Sequence, residues 1–205
     1  MTKYSTPQEE FWVGEFGSAY LERNVGEQFV ASNLRLFADV LRRAPDVRSI
    51  LELGCNIGLN LEALKRIDSG FALSGVEINA AAAEIARGKR IAEVIQGTII
   101  EPLDLPKSDL TFTKTVLIHI NPDALAGVYE NLYRLSKKYI MVCEYHNPAP
   151  VVVSYRGHSD RLFKRDFAGE LIERYGLRLV DYGFVYHRDR HFLIQDDMNW
   201  FLLAK

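Results

Sequence analysis

The chain lacks the features that announce several large classes of function. Its 205 residues hold two cysteines, Cys55 and Cys143, each in an apolar strand-like context. Two are too few for a disulfide framework, so free buried thiols and a reducing, cytoplasmic location are expected. No Cys/His cluster has zinc-ligand spacing and Asp196-Asp197 has no third ligand nearby, so no metal is expected. No apolar run approaches the ~18 residues of a membrane span, and the first ten residues hold no apolar signal core. A formal net charge of −2 leaves no electrostatic footprint for nucleic acid or an anionic membrane. Internal repeats and low-complexity linkers are absent too. At 48% hydrophobic and 25% charged, the composition is that of one globular domain, 1–205, with a two-sided core.

Apolar positions Val25, Phe29, Phe37, Val40, Leu41 and Ala44, with Leu36 filling the stripe, predict an amphipathic helix over 25–44, ended by Pro45-Asp46. Strands are predicted at 49–53, 71–76, 91–95, 110–118, 139–143, 177–186 and 198–203, the last two joined as a long hairpin. Helices are predicted at 59–67, at 80–87 with Asn79 as N-cap, from Asn121-Pro122-Asp123 onward, and at 166–175. Strand and helix alternate from 49 to 143, which implies an α/β fold: a doubly wound, seven-stranded, mostly parallel sheet covered on both faces. Right-handed crossovers put the C-terminal strand ends on one edge, where ligands bind.

At that edge stands Glu52-Leu53-Gly54-Cys55-Asn56-Ile57-Gly58-Leu59-Asn60, an apolar strand breaking into a helix through a loop with glycines four apart. A dinucleotide fingerprint requires a glycine where Asn56 stands, and a pyrophosphate would meet a side chain instead of bare backbone. S-adenosylmethionine carries no phosphate and can lie over such a loop, accepting N–H bonds from the helix start. Glu77 closes the next strand, where a carboxylate can accept both ribose hydroxyls, and Ile78 can pack on the adenine.

Glu52–Gly58 followed by Gly75-Val76-Glu77-Ile78-Asn79 resembles motifs I and II of class I S-adenosylmethionine-dependent methyltransferases, and Thr113–Asp123 resembles the block after their fourth strand. The resemblance implies a Rossmann-like methyltransferase fold with strand order 3-2-1-4-5-7-6 and strand seven antiparallel. It implies cofactor contacts from Glu52, Gly54, Asn56, Gly58, Glu77, Ile78, Thr98, Lys114, Thr115 and Tyr20. Phe11–Gly17, Tyr155–His158, Leu162–Glu170 and Asp181–Val185 further resemble the methylases associated with pseudaminic acid biosynthesis. That likeness implies a nonulosonic acid, its nucleotide-activated form or a related glycan precursor as substrate.

Methyl transfer needs a nucleophile held about 3–3.5 Å from the methyl carbon, and a hydroxyl acceptor also needs a base. His119 is the first candidate base, closing the fourth predicted strand; Glu144 and His146 follow strand five at the same edge. Tyr145 belongs to that group as a substrate contact. The polar stretch 153–161 reads as a long binding loop, in which Tyr155, Arg156 and His158, with Lys164 beyond it, would meet an acidic sugar. Residues 1–45 form a helical lid segment in which Trp12, Phe16 and Tyr20 would fold over the cofactor. Three readings stand: a methyltransferase acting on oxygen or nitrogen of a small, acidic-sugar acceptor; one recruited to a natural-product acid or amine; and a non-catalytic S-adenosylmethionine-binding regulator.

Overall fold

The computed structural model describes residues 4–21, 26–192 and 195–205. Three helices lead in: α1 (Pro7–Val13), α2 (Glu15–Leu21) and α3 (Glu27–Leu41). Then follow β1 (Ser49–Leu53), α4 (Leu59–Ile67), β2 (Ala72–Glu77), α5 (Ala80–Gly88), β3 (Glu93–Gln96), β4 (Ser108–Lys114), α6 (Leu125–Leu135) and β5 (Ser136–Glu144). A hairpin, β6 (Val151–Tyr155) and β7 (His158–Lys164), precedes α7 (Phe167–Tyr175), β8 (Arg178–Val185) and β9 (Met198–Ala204). The helix predicted over 25–44 is α3; Val25 lies outside the described residues.

The main sheet runs β3-β2-β1-β4-β5-β9-β8, parallel except that β9 runs antiparallel to both of its neighbours. Leaving the hairpin aside, this is the expected order. Alternation along the strands feeds two cores. Ile50, Phe112 and Met141 pack with Phe37 of α3 and Leu64 of α4, while Leu51, Ile140 and Val142 pack with Leu132 of α6 and Leu171 of α7. A sheet buried on both faces reads as continuous apolar runs, which makes its strands easy to locate in the sequence. Asn79 caps α5 by accepting from the Ala81 and Ala82 amides, as its position implies.

Two local expectations are corrected. The strand predicted over 110–118 stops at Lys114, because Thr115 turns to φ 54° and Leu117–His119 wind into a 3-10 turn. The β-branched run Thr115-Val116 favours a strand, but the Glu144 carboxylate accepts the Val116 and Leu117 amides at 3.1 Å and draws the backbone inward. Tertiary context overrides propensity here. The polar loop expected over 153–161 is instead the β6–β7 hairpin, closed by Arg156 and Gly157 at φ 51° and 83°. Both central residues of a tight hairpin turn take positive φ in the type I′ pattern, and Gly157 supplies the half that no sequence periodicity marks. No described helix is long and apolar enough to cross a membrane.

Candidate active site

A cavity opens over the C-terminal ends of β1, β2 and β4 and is roofed by α1. Its floor is the β1–α4 loop. Gly54 takes φ 84°, and a Cβ there would stand 2.6 Å from a Val116 methyl carbon, so the loop admits no side chain at that point. Gly58, at φ 77°, starts α4. Between them Asn56 is also left-handed, at φ 47°; asparagine tolerates that region better than most residues.

Glu77 ties the floor together. Its Oε2 accepts the Asn56 amide at 2.7 Å and its Oε1 accepts the Asn79 amide at 2.8 Å. Burial raises its pKa above the ordinary value while these amides pull it down. A carboxylate has about four lone-pair sites, so acceptor capacity remains for a ligand. Glu52 lies beneath the loop, fully buried, with Oε1 accepting from Asn60 Nδ2 at 2.6 Å; burial pushes its pKa up to about 8.

The polar inventory of this floor is lopsided. Lys114 Nζ donates to Gln195 Oε1, Asn79 Nδ2 to the Trp12 carbonyl, the Thr98 hydroxyl to Glu9 and Asn60 Nδ2 to Glu52. Asn56 Oδ1 and Asn60 Oδ1, by contrast, are enclosed acceptors without a hydrogen-bond partner. Leaving such oxygens dry and unpaired costs roughly 1–3 kcal/mol each, so the site is built for a ligand that brings donors or positive charge.

Of the residues predicted to hold the cofactor, Gly54, Asn56, Glu77, Ile78, Thr98, Lys114 and Thr115 line the cavity together. Glu52 and Gly58 stand behind its wall and shape it, and the Tyr20 side chain lies outside what the structure describes. Of the predicted catalytic residues, His119 faces the cavity from the 3-10 turn, its ring 4.8 Å from that of Trp12. The expectation for Glu144 is corrected. Its carboxylate is spent on the Val116, Leu117 and Ile118 amides, is buried with its pKa pushed up to about 7, and positions the turn that carries His119. His146 is set aside from the cavity wall, 3.7 Å from Asp166 and against Phe201.

The residues predicted to meet substrate form a second layer. Tyr155 packs 5.0 Å from the His119 ring and His158 packs 5.1 Å from Phe11. Arg156 lies exposed at the hairpin turn, Lys164 sits over the Tyr145 ring, and the Tyr145 hydroxyl donates to Asp196. None of these five is part of the cavity wall. Residues that the sequence did not single out do line it: Gln8, Glu9, Asn33 and Gln195. One signal was present, since Thr6-Pro7-Gln8-Glu9 has the spacing of a capping box and forms one. That pattern starts a helix but says nothing of Glu9 reaching across to Thr98.

No family model matches the chain, and no curated protein sequence matches it significantly. Solved structures do. A magnesium protoporphyrin IX methyltransferase from Synechocystis PCC 6803, with bound S-adenosylhomocysteine, superposes at TM-score 0.72 and 13% identity, over 96% of this chain and 97% of that one. A 1,6-didemethyltoxoflavin-N1-methyltransferase from Burkholderia thailandensis superposes at 0.70 and 15% identity, over 100% of this chain and 92% of that one. A glycopeptide N-methyltransferase superposes at 0.66 and 13% identity, over 84% and 94%. The fold is the Rossmann-like fold of class I methyltransferases. At such identities the chemistry must be argued from the residues themselves.

Proposed function

We propose that the protein is an S-adenosylmethionine-dependent methyltransferase acting on oxygen or nitrogen of a small polar acceptor. The observation that carries this reading is the pair of enclosed, unpaired amide oxygens on Asn56 and Asn60, residues that line the cavity at the glycine loop. An α-ammonium group brings the hydrogens those oxygens lack, and a sulfonium brings positive charge to a cavity whose one lysine, Lys114, is already bonded to Gln195. Glu77 keeps lone pairs for ribose hydroxyls, Ile78 offers an apolar edge for adenine, and Thr98 and Thr115 close the far side.

When bound, the cofactor supplies a methyl group activated by positive sulfur. The chain's own residues do the rest. Glu77 and the loop amides orient the nucleoside, α1 excludes water from above, and His119 faces the place where an acceptor enters. Positioning of this kind supplies much of the rate of a displacement. In this reading α1 and α2 act as the lid on a single methyltransferase domain while α3 packs into its core, and the buried free thiols of Cys55 and Cys143 accord with a cytoplasmic setting.

A nonulosonic acid or its activated form is the competing acceptor class under the same activity. Its carboxylate would be met by Arg156 and Lys164 on the hairpin, outside the cavity, with the reacting group alone reaching His119. Calorimetry with S-adenosylhomocysteine tests the cofactor: micromolar binding by the native protein, and a loss of about tenfold or more in Glu77→Ala, are expected. Unchanged affinity in that variant would sink the assignment. A mass-spectrometric screen for gain of one methylene across acidic sugars, their nucleotide conjugates and small amines then reads the acceptor. Binding without product from any of them would favour a regulatory protein.

A further inference from the structure

Two residues that line the cavity, Gln8 and His119, each hold an acceptor atom whose companion donor is already committed. Gln8 is buried, and its amide nitrogen donates to the Asp160 carbonyl at 3.0 Å. That bond decides which way the amide points, and Oε1 is left enclosed without a partner. His119 is buried as well, with Nδ1 2.6 Å from the Arg161 carbonyl. A carbonyl only accepts, so the ring proton sits on Nδ1 and Nε2 carries a bare lone pair. Burial lowers the imidazole pKa to about 4, which keeps the ring neutral and Nε2 an acceptor near neutral pH. The two holding carbonyls belong to adjacent residues of β7. Adjacent carbonyls of a regular strand point to opposite sides. Asp160 stands at φ 55°, which breaks that alternation and lets one strand hold side chains from α1 and from the 3-10 turn.

Resting on the methyl-transfer reading, we propose that the acceptor is a neutral primary amino group whose two hydrogens are taken by Gln8 Oε1 and His119 Nε2. An –NH2 group brings two donors and keeps a lone pair for attack. A hydroxyl brings one donor and leaves one oxygen or nitrogen unpaired, and a carboxylate brings none and sets lone pair against lone pair. In the step itself, the nitrogen lone pair forms the bond to the methyl carbon of S-adenosylmethionine. The carbon–sulfur bond breaks with its electron pair going to sulfur, which becomes a neutral thioether. The positive charge passes to nitrogen, and one proton then leaves to water. An alkylammonium, with a pKa near that of lysine at about 10.4, is not neutral at pH 7, and a base as weak as His119 does not deprotonate it. The fitting acceptor is therefore an aryl or heteroaryl amine, neutral by itself, whose planar ring suits the Trp12 wall.

The test uses full-length protein saturated with S-adenosylhomocysteine and three probes of one shape: aniline, phenol and benzoate, titrated by ligand-observed NMR. Aniline is expected to bind about tenfold tighter than phenol, the worth of one hydrogen bond, and benzoate not measurably. Gln8→Leu is expected to bring aniline down to the phenol level. Benzoate binding as well as aniline, or aniline no tighter than phenol, overturns the proposal without recourse to any variant. Failure of S-adenosylhomocysteine to bind removes the methyl-transfer reading and this proposal with it; its binding alongside indifferent probes overturns this proposal alone.

Discussion

The floor of the cavity and its acceptor wall are made from different materials. The floor draws on 52–60 and 77–79, neighbours across adjacent parallel strands, and holds its shape through backbone: positive φ at Gly54, Asn56 and Gly58, and amides gripping Glu77. The acceptor wall joins Gln8 to Asp160 across 152 positions of sequence and His119 to Arg161 across 42. It is held by side chains reaching backbone carbonyls. A backbone-built site tolerates few substitutions. A side-chain-built site can be changed one residue at a time.

The sharpest way to break the contrast is at Gly54. Gly54→Val places a branched Cβ in the left-handed region and against Val116, which should cost about 3 kcal/mol from strain and overpacking together. Thermal unfolding should show the loss, and calorimetry should show no S-adenosylhomocysteine binding; a variant that binds normally would mean that the floor is not a backbone device. Next comes the joint between the halves. Glu144→Gln replaces one accepting oxygen with a donor facing three backbone N–H groups, so the His119 turn should loosen. A fall in kcat on the order of tenfold with an unchanged KM for the methyl donor is expected, while equal losses in both would point to general unfolding.

The floor also predicts a pH signature. The Glu52 pKa is raised from 4.5 to about 8, so the folded protein holds a proton that the unfolded chain releases, and stability falls as pH climbs through that window. His119 acts in the opposite sense, its pKa lowered from 6.5 to about 4, adding stability as pH rises between those values and nothing above them. Above pH 6.5 the histidine no longer contributes to the slope. Glu52→Gln should flatten the decline in melting temperature there by a few degrees, and an unchanged slope would place the effect elsewhere. The smallest effect is expected at the rim. Arg156→Ala, at the exposed hairpin turn, should change stability by less than about 0.5 kcal/mol and turnover on an amine little; a large loss confined to acidic acceptors would instead support the nonulosonic reading.

This contrast also explains what can be read from the chain. The sheet and its order are legible because apolar runs and glycine breaks are local signals, and the floor is legible because its residues lie within a few positions of those breaks. Glu77 and Lys114 sit at strand ends, where the α/β topology itself places a ligand. Gln8 is not legible, because nothing near it in sequence indicates that a carbonyl in β7 will orient its amide. Glu144 reads as a catalytic acid because it closes a strand at the ligand-binding edge; only the turned backbone at Thr115–His119 shows that its oxygens are already occupied. Tyr155 and His158 read as loop residues, since the polar run Ser154–Arg161 straddles the hairpin turn and carries no alternating pattern.

The kinked residue in β7 has a consequence for descent. A single left-handed residue lets one strand hold two side chains at once, so an insertion, deletion or restored extended conformation at Asp160 would shift Gln8 and His119 together and leave the loop between β1 and α4 untouched. The hairpin is thus an exchangeable cassette set between β5 and α7. Substitutions in that one short ribbon would therefore alter the acceptor wall without altering the loop between β1 and α4.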